Sequence, residues 1–67
     1  MKIYTVMVEV LDRVGYQKVQ WVESKFSGRI HLDRNAAERE LLEAEAASRA
    51  AKNVGDAWIK EEVIIVT

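Results

Sequence analysis

The sequence contains no cysteine and no proline, and only three glycines and one histidine among its 67 residues. Without cysteine there is neither a disulfide scaffold nor a thiolate metal site. The glycines, Gly15, Gly28 and Gly55, stand far apart, whereas a phosphate-cradling loop needs several clustered before a helix. No apolar run approaches the roughly 18 residues of a membrane span. Glu9 and Asp12 interrupt the apolar N-terminal stretch, so a secretory leader pattern is missing too, and the expected location is the cytoplasm. Nor does one sign of charge dominate. Ten Lys and Arg face eleven Asp and Glu, a net charge of -1. That excludes the strong basic footprint of a typical nucleic-acid binder and the heavy negative balance of a DNA mimic.

What is present is a foldable composition. Hydrophobic residues make up 49% of the chain, and nineteen of them are Val, Ile, Leu or Phe, too many for a disordered segment. The length suits a single domain spanning residues 1–67. A domain of this size buries only about 60% of its unfolded surface and is marginal alone. Neither disulfides nor a thiolate metal site supports it.

Residues 2–11 read as a strand. Tyr4, Val6, Val8 and Val10 form one apolar face at period two, and Ile3, Thr5, Met7, Glu9 and Leu11 form the other. A strand apolar on both sides belongs at the centre of its sheet. Asp12–Gly15 is a turn, with Gly15 supplying a positive φ. Residues 16–24, with Lys18, Gln20 and Glu23 among them, read as a more polar edge strand. Ser27-Gly28 marks a second turn. Phe26, Ile30 and Leu32 around it form either a short extra strand or an anchor for the loop.

A helix is predicted over Arg34–Lys52, rich in Ala, Glu, Leu and Arg. Asp33 and Asn35 are both competent N-caps, Asn35 with Glu38 approximating a capping box. Glu45 and Arg49 form a favourable i,i+4 pair, and Asn53-Val54-Gly55 reads as the stop, Gly55 being the left-handed residue. Ala57–Val66 reads as the final strand, β-branched at its end, with a bulge or exposed stretch at Lys60-Glu61-Glu62. The expected fold is therefore α+β: a small three-stranded, mainly antiparallel ββαβ sheet in the order 2-1-3, with one helix on one face. The crossover from the second strand to the third is right-handed on general grounds.

Around the helix, Ala37, Leu41, Ala44, Ala47 and Ala51 share one side. Glu40 falls within that alanine stripe and Leu42 outside it. A buried carboxylate needs a partner; either Glu40 pairs with a basic residue across an interface or the helix is rotated from this estimate. The other sheet face, carrying several of Ile3, Met7, Leu11, Trp21, Trp58, Ile64 and Val66, has no cover within the chain. Uncovered apolar patches mark interfaces. The protein-interface candidates are accordingly Trp21, Trp58, Met7, Glu40 and Leu42, and a homodimer is expected through that sheet face or the alanine side of the helix.

Catalytic chemistry has little to stand on. His31 with Asp33 and Glu38 matches no metal spacing, and the paired carboxylates Glu38/Glu40, Glu43/Glu45 and Glu61/Glu62 read as a solvated surface rather than a converging acid–base pair. Ser24, Ser27 and Ser48 lack a nucleophile-elbow context. No catalytic residue, metal or cofactor is assigned. Aromatics on a sheet can stack bases, so Trp21 and Trp58 with Lys18, Lys25 and Lys60 form a nucleic-acid alternative. At least one tryptophan is expected under the helix as core.

The stretches Asp33-Arg34-Asn35-Ala36-Ala37-Glu38-Arg39-Glu40 and Gly55-Asp56-Ala57-Trp58-Ile59-Lys60, in their strand–strand–helix–strand setting, resemble the small ββαβ proteins encoded by bacteriophages and prophages. The resemblance is one of layout. It implies a non-enzymatic accessory protein of the host-factor-inhibitor type, which binds and blocks or redirects a host protein. The alternative is a small dimeric nucleic-acid binder.

Overall fold

The computed structural model describes residues 1–13, 15–16 and 18–65. The chain forms strand β1 (Lys2–Arg13), strand β2 (Val19–Lys25), helix α1 (Arg34–Ala50) and strand β3 (Val54–Val63). The sheet order is β2-β1-β3, with β1 antiparallel to both neighbours. This is the expected ββαβ architecture, and its cause is the one read from β1: a strand apolar on both faces gains most with neighbours on either side. Val6 is fully buried, and Ile3, Met7 and Val8 are nearly so.

Pairing fixes which side chains share a face. Val8 lies opposite Ser24 and Ala57, and Val10 opposite Val22 and Val54, all towards the helix. There Val6, Val8 and Ala44 form the core, with Val10, Phe26, Leu41, Val54, Ala57 and Ile59 packed against them. Phe26, not a tryptophan, is the aromatic packed against this core cluster. Met7 lies opposite Lys25 and Trp58, and Leu11 opposite Trp21, so both tryptophans sit on the face away from the helix. The alanine stripe is spent within the chain: Ala37 and Ala44 are fully buried as α1 packs on β1 and β3. That leaves it unavailable as a dimer surface.

The helix begins at Asp33, whose carboxylate accepts from the Asn35 amide at 3.1 Å. Asp33 is thus the cap, and Glu38 pairs with Arg34 rather than closing a box on Asn35. That Arg34–Glu38 pair, not Glu45–Arg49, is the i,i+4 ion pair among the described residues. The helix stops at Ala51, in extended conformation, before any glycine.

Gly55 does not end the helix in a left-handed turn; positive φ belongs to Gly15 (87°) and Gly28 (80°) among the described residues. Gly55 instead lies in β3, where a Cβ would come within 3.1 Å of the Trp21 ring and 3.3 Å of the Glu9 Cβ. The pairing slips by one residue here, Val10 facing Val54 and Val8 facing Ala57. The irregularity therefore falls at Gly55–Asp56, while Lys60-Glu61-Glu62 pairs regularly with Thr5, Tyr4 and Ile3. β3 also runs three residues earlier at each end than the sequence pattern suggests. Val63 and Ile65 are exposed, because this end of the sheet is paired only with the exposed Lys2 and Met1; Val66 lies outside the described residues.

Candidate functional site

Two places bring chemistry-bearing side chains together. The first is the junction between the β2–α1 connection and the helix. After β2 the chain continues beside β1: the Phe26 amide donates to the Val6 carbonyl at 2.9 Å, and Tyr4 and His31 exchange two main-chain bonds of 2.8 Å. A residue directly opposite Tyr4 shares its face, so the His31 side chain is directed to the helix side. Ile30 and Leu32 on either side of it remain exposed. The segment is neither a full strand nor a free loop but a single bridge.

His31 there meets Glu40. Its Nε2 lies 2.6 Å from Glu40 Oε2, and the Ser27 hydroxyl donates to Glu40 Oε1 at 2.7 Å. The Glu40 side chain is 4% exposed and that of His31 15%. Burial works to raise the Glu40 pKa, but hydrogen bonds from Ser27 and His31 and the nearby charges of His31 and Arg29 outweigh it, holding the carboxyl below its ordinary 4.5. An ionised carboxylate only accepts, so Nε2 carries the proton it shares. Ser27 Oγ also accepts from the Arg29 amide at 3.2 Å.

The groups are Ser, His and Glu, but their order is wrong for nucleophilic catalysis, in which the hydroxyl gives its proton to an imidazole. Here Ser27 and His31 both donate to Glu40. The cluster locks the connection onto α1. Glu40 thus finds its partner inside the chain, not across an interface, and Asp33 and Glu38 take no part. The signal for this pairing was a charged residue in a buried alanine stripe together with the chain's one histidine nine residues earlier.

The second place is the open sheet face. The Trp21 indole reaches from β2 over Glu9 to lie against Gly55 of β3. It remains 47% exposed, with Leu11 opposite it 38% exposed. Trp58 is half-buried next to Met7 on the same face. Ile3, Thr5 and Met7 are buried although no second layer covers them, since β1 is flanked on this side by longer residues such as Trp58, Lys60 and Lys25. Met7 therefore contributes to the floor of the face and Trp21 to its relief.

Charge on this face is arranged unevenly. Glu9 lies directly opposite Glu23, a pairing that costs stability, and neither has an ion-pair partner among the described residues. Lys60 is engaged by Glu62 at 3.5 Å. Lys25 is exposed beside Met7, and Lys18 is exposed before β2 begins, away from the tryptophans' row. Leu42 is on neither cluster; it is exposed on α1 and lines a groove of about 770 Å³ between the helix and β3, with Leu41, Ala57, Trp58 and Ile59.

Among the described residues no group of three or more His, Asp or Glu side chains is placed to hold a metal ion, and no helix is long and apolar enough to cross a membrane. Comparison with protein-family models, with curated proteins and with solved structures gives no match.

Proposed function

We propose that this chain is a non-enzymatic protein-interaction module whose open sheet face docks on another protein. The observation that carries the reading is the combination of a half-exposed Trp21, seated on Gly55 beside Leu11, with the unpaired Glu9/Glu23 couple next to it. Tryptophan in such a setting is a typical interface anchor. The occupant that fits is a protein surface with an apolar pocket for the indole and an Arg or Lys at its rim. A cation placed between Glu9 and Glu23 relieves their repulsion, so association gains what the free chain lacks. Trp58 and the apolar floor extend the contact.

The layout shared with small phage-encoded proteins suggests the biological sense of such docking: an accessory protein that blocks or redirects a host protein by covering part of its surface. The Ser27–Glu40–His31 cluster fits a non-enzymatic role, because its groups are consumed in holding the fold.

One observation favours a nucleic-acid partner instead: Lys25 and Lys60 share the face with both tryptophans. Against it, Glu9, Glu23 and Glu62 lie on the same face, and a phosphate backbone is repelled by them.

The test is capture from a lysate of the source organism, followed by reconstitution with the purified partner. Trp21→Ala is expected to lose the partner while keeping the circular dichroism of the wild type, and Glu23→Lys to weaken binding at least tenfold. Full binding by Trp21→Ala and by Trp58→Ala would remove the proposal. A partner that proves to be nucleic acid, released steeply by salt, would replace it with the alternative.

A further inference from the structure

The pairing pattern reveals which main-chain groups of β3 are free. Tyr4 and Val6 direct their backbone groups towards the β2 side, as their bonds to His31 and Phe26 show, and Leu11 directs its amide to Asn53 on the β3 side. In an antiparallel ladder these directions alternate, so Ile3, Thr5 and Met7 bond to their β3 partners Glu62, Lys60 and Trp58. The amides and carbonyls of the intervening Ala57, Ile59 and Glu61 therefore point outward. None of them is engaged by a loop, a cap or a side chain among the described residues. The irregularity at Gly55–Asp56 ends this edge on one side, leaving Ala57–Glu61 as a regular open ladder.

We infer that two copies of this chain pair through this edge, β3 against β3 and antiparallel about Ile59, to form one six-stranded sheet. A second copy is the favoured occupant because the edge is complementary to itself. With Ile59 opposite Ile59 of the second copy, Trp58 meets Lys60 on the open face, and Lys60 meets Trp58. Each is a cation over an aromatic ring. On the helix face Ala57 meets Glu61, so no like charges oppose one another in this stretch. About six main-chain hydrogen bonds form across the two-fold axis.

The helix layer fits as well. α1 contacts β3 more than β1 and has no comparable contact with β2, so it lies toward the open edge and not over the middle of the sheet. The groove between α1 and β3 is lined by Leu41, Leu42 and Ile59, and Leu42 is 65% exposed there. Addition of a strand puts Leu42 over a continuous sheet. The inference does not rest on the docking proposal: it uses the main-chain edge of β3, whereas docking is anchored by Trp21 on the open face, and Trp58 is the one residue common to both.

The experiment is sedimentation equilibrium of the full chain over a range of concentrations, with two variants. The wild type is expected to approach twice its 7.7 kDa monomer mass. Glu61→Pro deletes an outward amide that bonds nothing within the chain, a position where an edge strand tolerates proline; it is expected to weaken the dimer at least tenfold with the fold retained. Ile59→Cys introduces the only thiol of the chain. Two residues directly opposite in a hydrogen-bonded pair lie about 5.5 Å apart at Cα, within disulfide reach, so mild oxidation is expected to yield a covalent dimer. A monomeric mass throughout would overturn the inference. So would a dimer that cross-links through Met7→Cys and not through Ile59→Cys, since that would place the contact on the open face. If Glu61→Pro fails to fold, the Ile59→Cys cross-link decides.

Discussion

Replacing Glu40 by alanine tests the reading of the buried cluster as a lock. The substitution removes the acceptor of the Ser27 hydroxyl and of His31 Nε2. Ser27 is exposed and can turn to water, so its loss is small. The His31 ring is largely buried and its bond is charge-assisted, a class worth about 1.5–3 kcal/mol. Allowing for the recovered cost of burying the carboxylate, the expected destabilisation is about 1–2 kcal/mol. A 67-residue domain has roughly 3–10 kcal/mol in all, so this is a large share. Urea unfolding, followed by tryptophan fluorescence, reads it directly. With a slope of about 1 kcal/mol per molar for a small domain, the midpoint falls by about 1–2 M. Glu40→Gln, which keeps an acceptor for Ser27, loses less. Because the folded-state pKa of Glu40 is below 4.5, its ionised form stabilises the fold fully above pH 4.5. That contribution fades as pH falls through the lowered value. The gap between wild type and Glu40→Gln therefore narrows on acidification. A Glu40→Ala midpoint unchanged within about 0.5 M would refute the reasoning.

Two further outcomes follow from local geometry. Gly55→Ala places a Cβ 3.1 Å from the Trp21 ring and 3.3 Å from the Glu9 Cβ; the indole shifts outward, with a red-shifted emission, but the Glu9 Cβ, fixed to the central strand, does not yield, so a loss of about 1–2 kcal/mol is expected. Asp33→Ala removes the cap on the Asn35 amide and is expected to cost about 1 kcal/mol in thermal or urea unfolding, with no effect on partner capture.

The architecture was legible because β1 announces itself: residues apolar on both faces define the centre of the sheet, and the Ala- and Glu-rich segment defines the helix. What escaped was set by long-range geometry. Gly55 in a sequence looks like a helix stop, and only the pairing of β2 with β1 reveals that an indole from another strand requires the space. Val63 to Ile65 look like core by composition, yet burial depends on what stands opposite, and there it is only the exposed Lys2 and Met1. Glu40 was visible as an anomaly in the stripe, whereas its partner depended on the Tyr4–His31 bridge, which periodicity does not encode. Trp21 and Trp58 were identifiable as candidates, but their face followed only from the register.

The central position of β1 also bears on how the protein is made. Of the four elements, the one that needs two neighbours precedes the other three in the chain, and its second neighbour follows them all. At about 5–20 residues per second, Ile3 to Val10 wait several seconds for β3, paired on one edge at most. A nascent chain in that interval exposes an apolar strand with a free edge, the kind of segment that chaperones hold and that aggregates form from. The topology that gives the folded domain its core therefore leaves β1 exposed until β3 has been made.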